Sequence, residues 1–126
     1  MDAVPCLLPS YKAMTTVQSF QVEITEAEFQ QMVTKQAEAL GWQWMHVATT
    51  GIGRHSPMRG TMGKGWPDLV LVKGSRILFI ELKRQKGLMT TEQMAVMNLL
   101  EQTKAETYCF RPADIPQILH VLTGPA

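Results

Sequence analysis

Apolar and polar positions change rhythm several times along the chain, and each change predicts an element. "FQVEI" (20–24) alternates and reads as a short strand. From Thr25 the rhythm becomes helical. Phe29, Val33, Ala37 and Leu40 recur at three to four residues, and Gly41 ends the run. Thr25 with Glu28 three residues later has the spacing of a capping box. "WQWMHVA" (42–48) reads as a strand, and residues 49–65 have no period. Two apolar, β-branched runs follow, "DLVLVK" and "RILFIELK", with Gly74-Ser75 between them as a two-residue hairpin turn. A second helix is expected from about Thr91 to Gln102, with Val96, Met97 and Leu100 on its apolar side. "TYCF" (107–110) predicts a strand, and Pro112–Leu122 contains a last helix. The order α-β-β-β-α-β-α predicts an α/β fold, a mixed sheet flanked by helices. Residues 1–16 are expected to form a flexible tail, and residues 17–126 one domain.

The hairpin raises a chemical question. With Gly74-Ser75 as the turn, Lys73 faces Arg76 and Asp68 faces Glu81. Side chains alternate across a strand, so Lys83 projects to the side of Glu81. Two carboxylates directly opposite each other repel, and burial strengthens the repulsion. A cation between them removes the conflict. Magnesium suits the position, because it takes one or two carboxylates and completes its shell with water and substrate phosphate. The bland alternative is an ordinary hairpin with a solvated aspartate at one end and a charged "KRQK" run at the other.

Composition adds a contrast in charge. The formal net charge of the 126 residues is +1. Residues 51–86 hold eight Lys and Arg against Asp68 and Glu81, a local +6 that leaves −5 for the rest. Cations around a carboxylate pair are what a phosphodiester-cleaving site needs, because they attract the backbone that the site must reach. Arg54, Arg59, Lys64, Arg84 and Lys86 are the candidate contacts to backbone phosphates. The glycine-rich stretch "ATTGIGRHSPMRGTMGKG" is read as a substrate-binding flap that orders on its substrate, or as a plain disordered loop. His46, at the end of its strand, either faces the site or stays on the surface. Cys6 and Cys109 lack metal-ligand spacing and read as free thiols of a reducing compartment. No apolar run approaches membrane-span length, and "MDAVPCLLPSYKAM" has no basic n-region, so a cytoplasmic protein is expected. Phosphate-loop, dinucleotide-binding, nucleophile-elbow and zinc patterns are absent from the sequence.

Pro67-Asp68 followed by Glu81-Leu82-Lys83 resembles the PD-(D/E)XK nuclease signature. The longer stretch "GKGWPDLVLV...RILFIELKRQKGLMTTEQ" is similar to the VRR-NUC group, the virus-type replication and repair nucleases. Gly65, Pro67, Asp68, Glu81, Lys83, Gly87 and Gln93 carry the match, which covers about residues 25–122. The resemblance implies a restriction-endonuclease-like core and a Mg2+ or Mn2+ site. Its ligands would be Asp68, Glu81, the Leu82 carbonyl and a glutamate of the first helix. Glu26 and Glu28 compete for that last role. Glu26 falls nearer the buried stripe and is assigned to the metal, with Glu28 assigned to the cap. The resemblance also gives Lys83 the attacking water, and sets Gln93 against Lys83 or the substrate phosphate. A capping box with Thr90 accounts for Gln93 equally well, and the two roles are compatible.

The implied activity is hydrolysis of DNA phosphodiester bonds by an endonuclease. Stand-alone members resemble homodimeric resolvases of branched DNA and Holliday junctions, with a phage origin and a host-cytoplasm location implied by the resemblance alone. The competing readings are a sequence-specific restriction-like nuclease, a DNA-binding module that does not cut, and a protein-interaction domain.

Overall fold

A computed structural model describes residues 24–47 and 60–125. The expected tail over 1–16 lies outside the described residues, as does the expected strand over 20–24 apart from Ile24. Ile24 is buried and precedes the first helix without strand pairing.

Helix α1 spans Glu26–Ala39. The capping box forms: Glu28 N donates to Thr25 Oγ1 at 3.0 Å, and Thr25 N donates to Glu28 Oε1 at 2.9 Å. Gly41 follows the C-cap at φ +89°, a conformation that favours glycine. Strand β1 is Gln43–His46, shorter than expected. Trp42 leaves the strand because it turns into the core, where its Nε1 donates to Leu122 O at 3.0 Å.

Strands β2 (Leu69–Lys73) and β3 (Arg76–Leu82) form the expected hairpin. Lys73 pairs with Arg76 and Leu69 with Ile80, which is the register read from the turn. Gly74 takes φ +60° while Ser75 stays negative, so only the first turn position is left-handed, as in a type II′ turn. Helix α2 spans Thr91–Glu101 and strand β4 spans Glu106–Phe110, parallel to β3. A 3-10 turn at Pro112–Asp114 leads into helix α3, Ile115–Thr123. Another 3-10 turn, Gly63–Gly65, lies within the stretch expected to be loop. The four strands run in the order β1-β2-β3-β4 as a mixed sheet.

Alternation divides the sheet into two faces. Leu69, Leu71, Leu78, Ile80, Leu82 and Phe110 turn to one face and bury with Phe29, Val33 and Ala37 of α1 and Ile118 and Leu122 of α3. The other face carries Phe79, on which α2 sets Val96, Met97 and Leu100, with Trp66 edge-on to Phe79 at 5.4 Å. Asp68 and Glu81 belong to this second face, because the core-facing residues next to them are Leu69, Ile80 and Leu82. The sheet therefore aims the carboxylates toward the start of α2. Among the described residues, no helix is long and apolar enough to cross a membrane.

Candidate functional site

The hairpin brings Asp68 to the mouth of β2 and Glu81 to the end of β3. Asp68 is fixed by the neighbouring strand, with Leu82 N donating to Asp68 Oδ2 at 2.9 Å. The residue expected to offer its carbonyl to a metal thus holds Asp68 through its N–H. Burial pushes the Asp68 carboxyl above its ordinary range, and the Glu26 charge adds to the rise. The Leu82 bond, Lys83 and His46 oppose it.

Glu81 is only 2% exposed. Its Oε2 accepts from Gln93 Nε2 at 2.8 Å and lies 3.4 Å from Lys83 Nζ. Its Oε1 is buried with no hydrogen-bond partner. Leaving a buried carboxylate oxygen unpaired is costly. Burial first, and the Asp68 charge second, push the Glu81 carboxyl up to about 7 despite Lys83. Two carboxylates and a lysine thus converge on one face, as the register predicted.

The structure separates the two helix glutamates. Glu28 is consumed by the capping box. Glu26 is exposed and turns toward the end of β3, where its Oε2 accepts from Arg84 N at 3.3 Å. Gln93 forms the capping box weighed for it and also reaches the carboxylates, but through a different partner from the one expected. Its Oε1 accepts from Thr90 N at 2.8 Å, which completes a capping box and leaves Nε2 to reach the site. The acceptor it finds is Glu81, where Lys83 or a phosphate was expected. It cannot hydrogen-bond the Lys83 ammonium with Nε2, because both groups only donate.

Lys64, Arg84 and Lys86 are exposed, Lys64 on the 3-10 turn and the other two just beyond β3. Arg54 and Arg59 lie outside the described residues, as does most of the expected flap. Two other cations of the basic segment are committed elsewhere. Lys73 Nζ donates to Leu40 O at 2.7 Å, and Arg76 Nη1 donates to Val121 O at 3.0 Å. Each closes the C-terminal end of a helix at the hairpin tip, away from the carboxylates.

Sequence reading passed over two supports. A Cβ on Gly65 would lie 2.2 Å from Glu92 O, so only glycine lets the 3-10 turn seat against the start of α2. Arg111 grips Gly87 O through Nε at 3.2 Å and Nη2 at 2.8 Å, and so holds the loop after β3. Gly65 stood among the matching residues without a packing reason. Arg111 had no signal, since its contact crosses from β4. Cys109 pairs with Glu81 across the parallel ladder and is a free thiol, its pKa raised by burial. Cys6 lies outside the described residues.

Among the described residues, no three His, Cys, Asp or Glu side chains form a ready metal-binding group. The pair fits a hard cation on other grounds. Glu81 Oε1 is an unpaired buried acceptor, Asp68 shares its face, and magnesium needs no more than two carboxylates when water and phosphate fill its shell. No family model, curated protein or solved structure matches the chain.

Proposed function

We propose that the chain is a Mg2+- or Mn2+-dependent DNA endonuclease of the VRR-NUC type, with a PD-(D/E)XK core, and that it acts as a homodimer on branched DNA. The reading rests on one observation above the others. Glu81 is buried opposite Asp68 and beside Lys83, with one oxygen left open. A fold with no use for a cation there would gain by replacing Glu81 with an apolar residue.

A divalent ion held there would supply Lewis acidity, lowering the pKa of a water and offsetting charge on the phosphate. Asp68 and Glu81 are the groups that would hold it, and the resemblance adds Glu26 and the Leu82 carbonyl to them. Gln93 keeps the Glu81 carboxylate turned toward the site while Thr90 fixes the orientation of the amide. Lys83 is 11% exposed at its side chain, so its ammonium works in a sheltered place where it can orient or deprotonate the attacking water. Lys64, Arg84 and Lys86 bind the phosphates flanking the cut. Paired cuts on a symmetric junction need two copies of the chain, related by a twofold axis.

The test is cleavage of labelled four-way junction, flap and plain duplex DNA, with magnesium, with manganese and with neither. Asp68→Ala and Lys83→Ala run alongside. Metal-dependent cutting concentrated on branched substrates, reduced by about a hundredfold or more in both variants, is the expected result. Equal cutting of all three substrates would remove the branch preference. Salt-sensitive binding without cutting in any metal would make the chain a binding module.

A further inference from the structure

Leu88 is 80% exposed, more than any other large apolar side chain among the described residues. One exposed leucine is ordinary on a protein surface. The setting of this one is not, because several contacts hold its loop in a single shape. Gly87 N donates to Arg84 O at 2.8 Å and closes a turn over Gln85 and Lys86. Arg111 holds Gly87 O with two donors. Gln85 Oε1 accepts from Ala113 N at 2.9 Å, and Arg84 N is tied to Glu26.

The loop also folds back on the strand end that carries the ammonium. A Cβ on Gly87 would lie 3.5 Å from Lys83 Cβ. Leu88 departs one residue later. Its neighbour Met89 packs onto the cluster of Val96, Met97 and Leu100. Leu88 is left pointing into water, two residues from exposed Lys86. A loose loop would bury such a side chain by rearranging, and this loop is pinned on both sides of its turn.

We propose that Leu88 is a wedge that enters the base stack of DNA while Arg84 and Lys86 hold the flanking phosphates. Apolar side chains, leucine among them, part base steps and kink the duplex when cations anchor the backbone beside them. Unstacking costs least where pairing is already interrupted, so the wedge favours the branch point of a junction over plain duplex. The inference rests on the nuclease reading and deepens it by assigning the feature that selects branched DNA.

The experiment uses 2-aminopurine at the branch of a four-way junction, with emission and affinity followed by titration. Asp68→Asn blocks cutting and keeps an oxygen acceptor for Leu82 N. In that background the chain with Leu88 is expected to raise the emission. Leu88→Ala should abolish the rise and weaken binding about tenfold, and Leu88→Met should restore both. Lys86→Ala should weaken binding and flatten its salt dependence, with the emission at saturation unchanged.

An equal rise with Leu88→Ala at saturation overturns the wedge. So does sedimentation showing that Leu88→Ala only splits a dimer, which would make Leu88 a contact between copies. Wild-type cleavage in magnesium without any rise in emission removes the wedge and leaves the nuclease. Neither binding nor cutting by the wild type removes both.

Discussion

Glu81 concentrates the chemistry of the site in one side chain. Its folded pKa of about 7 stands above the ordinary 4.5, so the native protein binds this proton more tightly than the unfolded chain does. That contribution to stability is fully present below about pH 4.5 and is lost as the pH rises through about 7. The burial-driven rise of Asp68 acts in the same direction. Metal-free protein should therefore melt at a higher temperature at pH 5 than at pH 8, and Glu81→Gln should flatten the difference. Divalent ions require the carboxylate, so magnesium affinity should climb with pH through the same range. Melting curves across pH, with and without magnesium, read both effects. A magnesium-induced rise in melting temperature that is equal at pH 5 and pH 8 would count against a metal at Glu81.

At the scale of elements, the start of α2 sets the geometry. The turn Gly63–Gly65 seats on it, the Thr90 cap begins it, and Gln93 projects from it onto Glu81. Gly65→Ala forces backbone against backbone at Glu92 O, so α2 must shift or the turn must lift. A loss of about 1–3 kcal/mol is expected in denaturant melts, with a larger proportional fall in cleavage, because Gln93 moves with the helix. Thr90→Ala should cost about 1 kcal/mol through the lost cap and loosen the Gln93 amide as well. Cleavage by Gly65→Ala at the wild-type rate would mean that the position of α2 does not matter.

This region also marks where the sequence was legible. The hairpin register could be read because a two-residue turn fixes which positions face each other, and the capping boxes could be read from spacing. The place of Glu28 in the cap was legible for the same reason, since the Thr25 spacing announces it. The acceptor of Gln93 was not, because Thr90 fixes the amide only once the helix is seated. The Arg111 grip on Gly87 depends on the parallel pairing of β4, which no local pattern announces.

Across the whole molecule, the basic segment divides in two. The sequence places Lys73, Arg76, Lys64, Arg84 and Lys86 in one charged stretch, and the fold sends them to opposite ends of the sheet. At the hairpin tip, Arg76 makes two 2.6 Å contacts with Glu106, lies 5.0 Å from the Trp42 ring centre and donates to Val121 O. Tyr108 completes this network through Glu106, at 2.7 Å. Arg76 is thus a structural cation that ties α3 to the sheet. At the other end, Arg84 and Lys86 follow the end of β3 with exposed side chains. Charge counting along the chain could not see the division, because it depends on which helix ends the hairpin tip meets.

The division predicts two kinds of variant. Arg76→Ala should lower stability by about 2–4 kcal/mol, since it strips the partner from half-buried Glu106 and uncaps α3. DNA affinity, measured where the variant is still folded, should not change. Arg84→Ala and Lys86→Ala should leave the melting temperature within about 0.5 kcal/mol of equivalent stability. Each should weaken DNA binding and reduce the slope of log affinity against log salt by about one. Parallel denaturant melts and salt titrations of the three variants separate the two roles. If Arg76→Ala changed the salt slope as Lys86→Ala does, the DNA path would have to extend to the hairpin tip, and the carboxylate end could no longer be its centre.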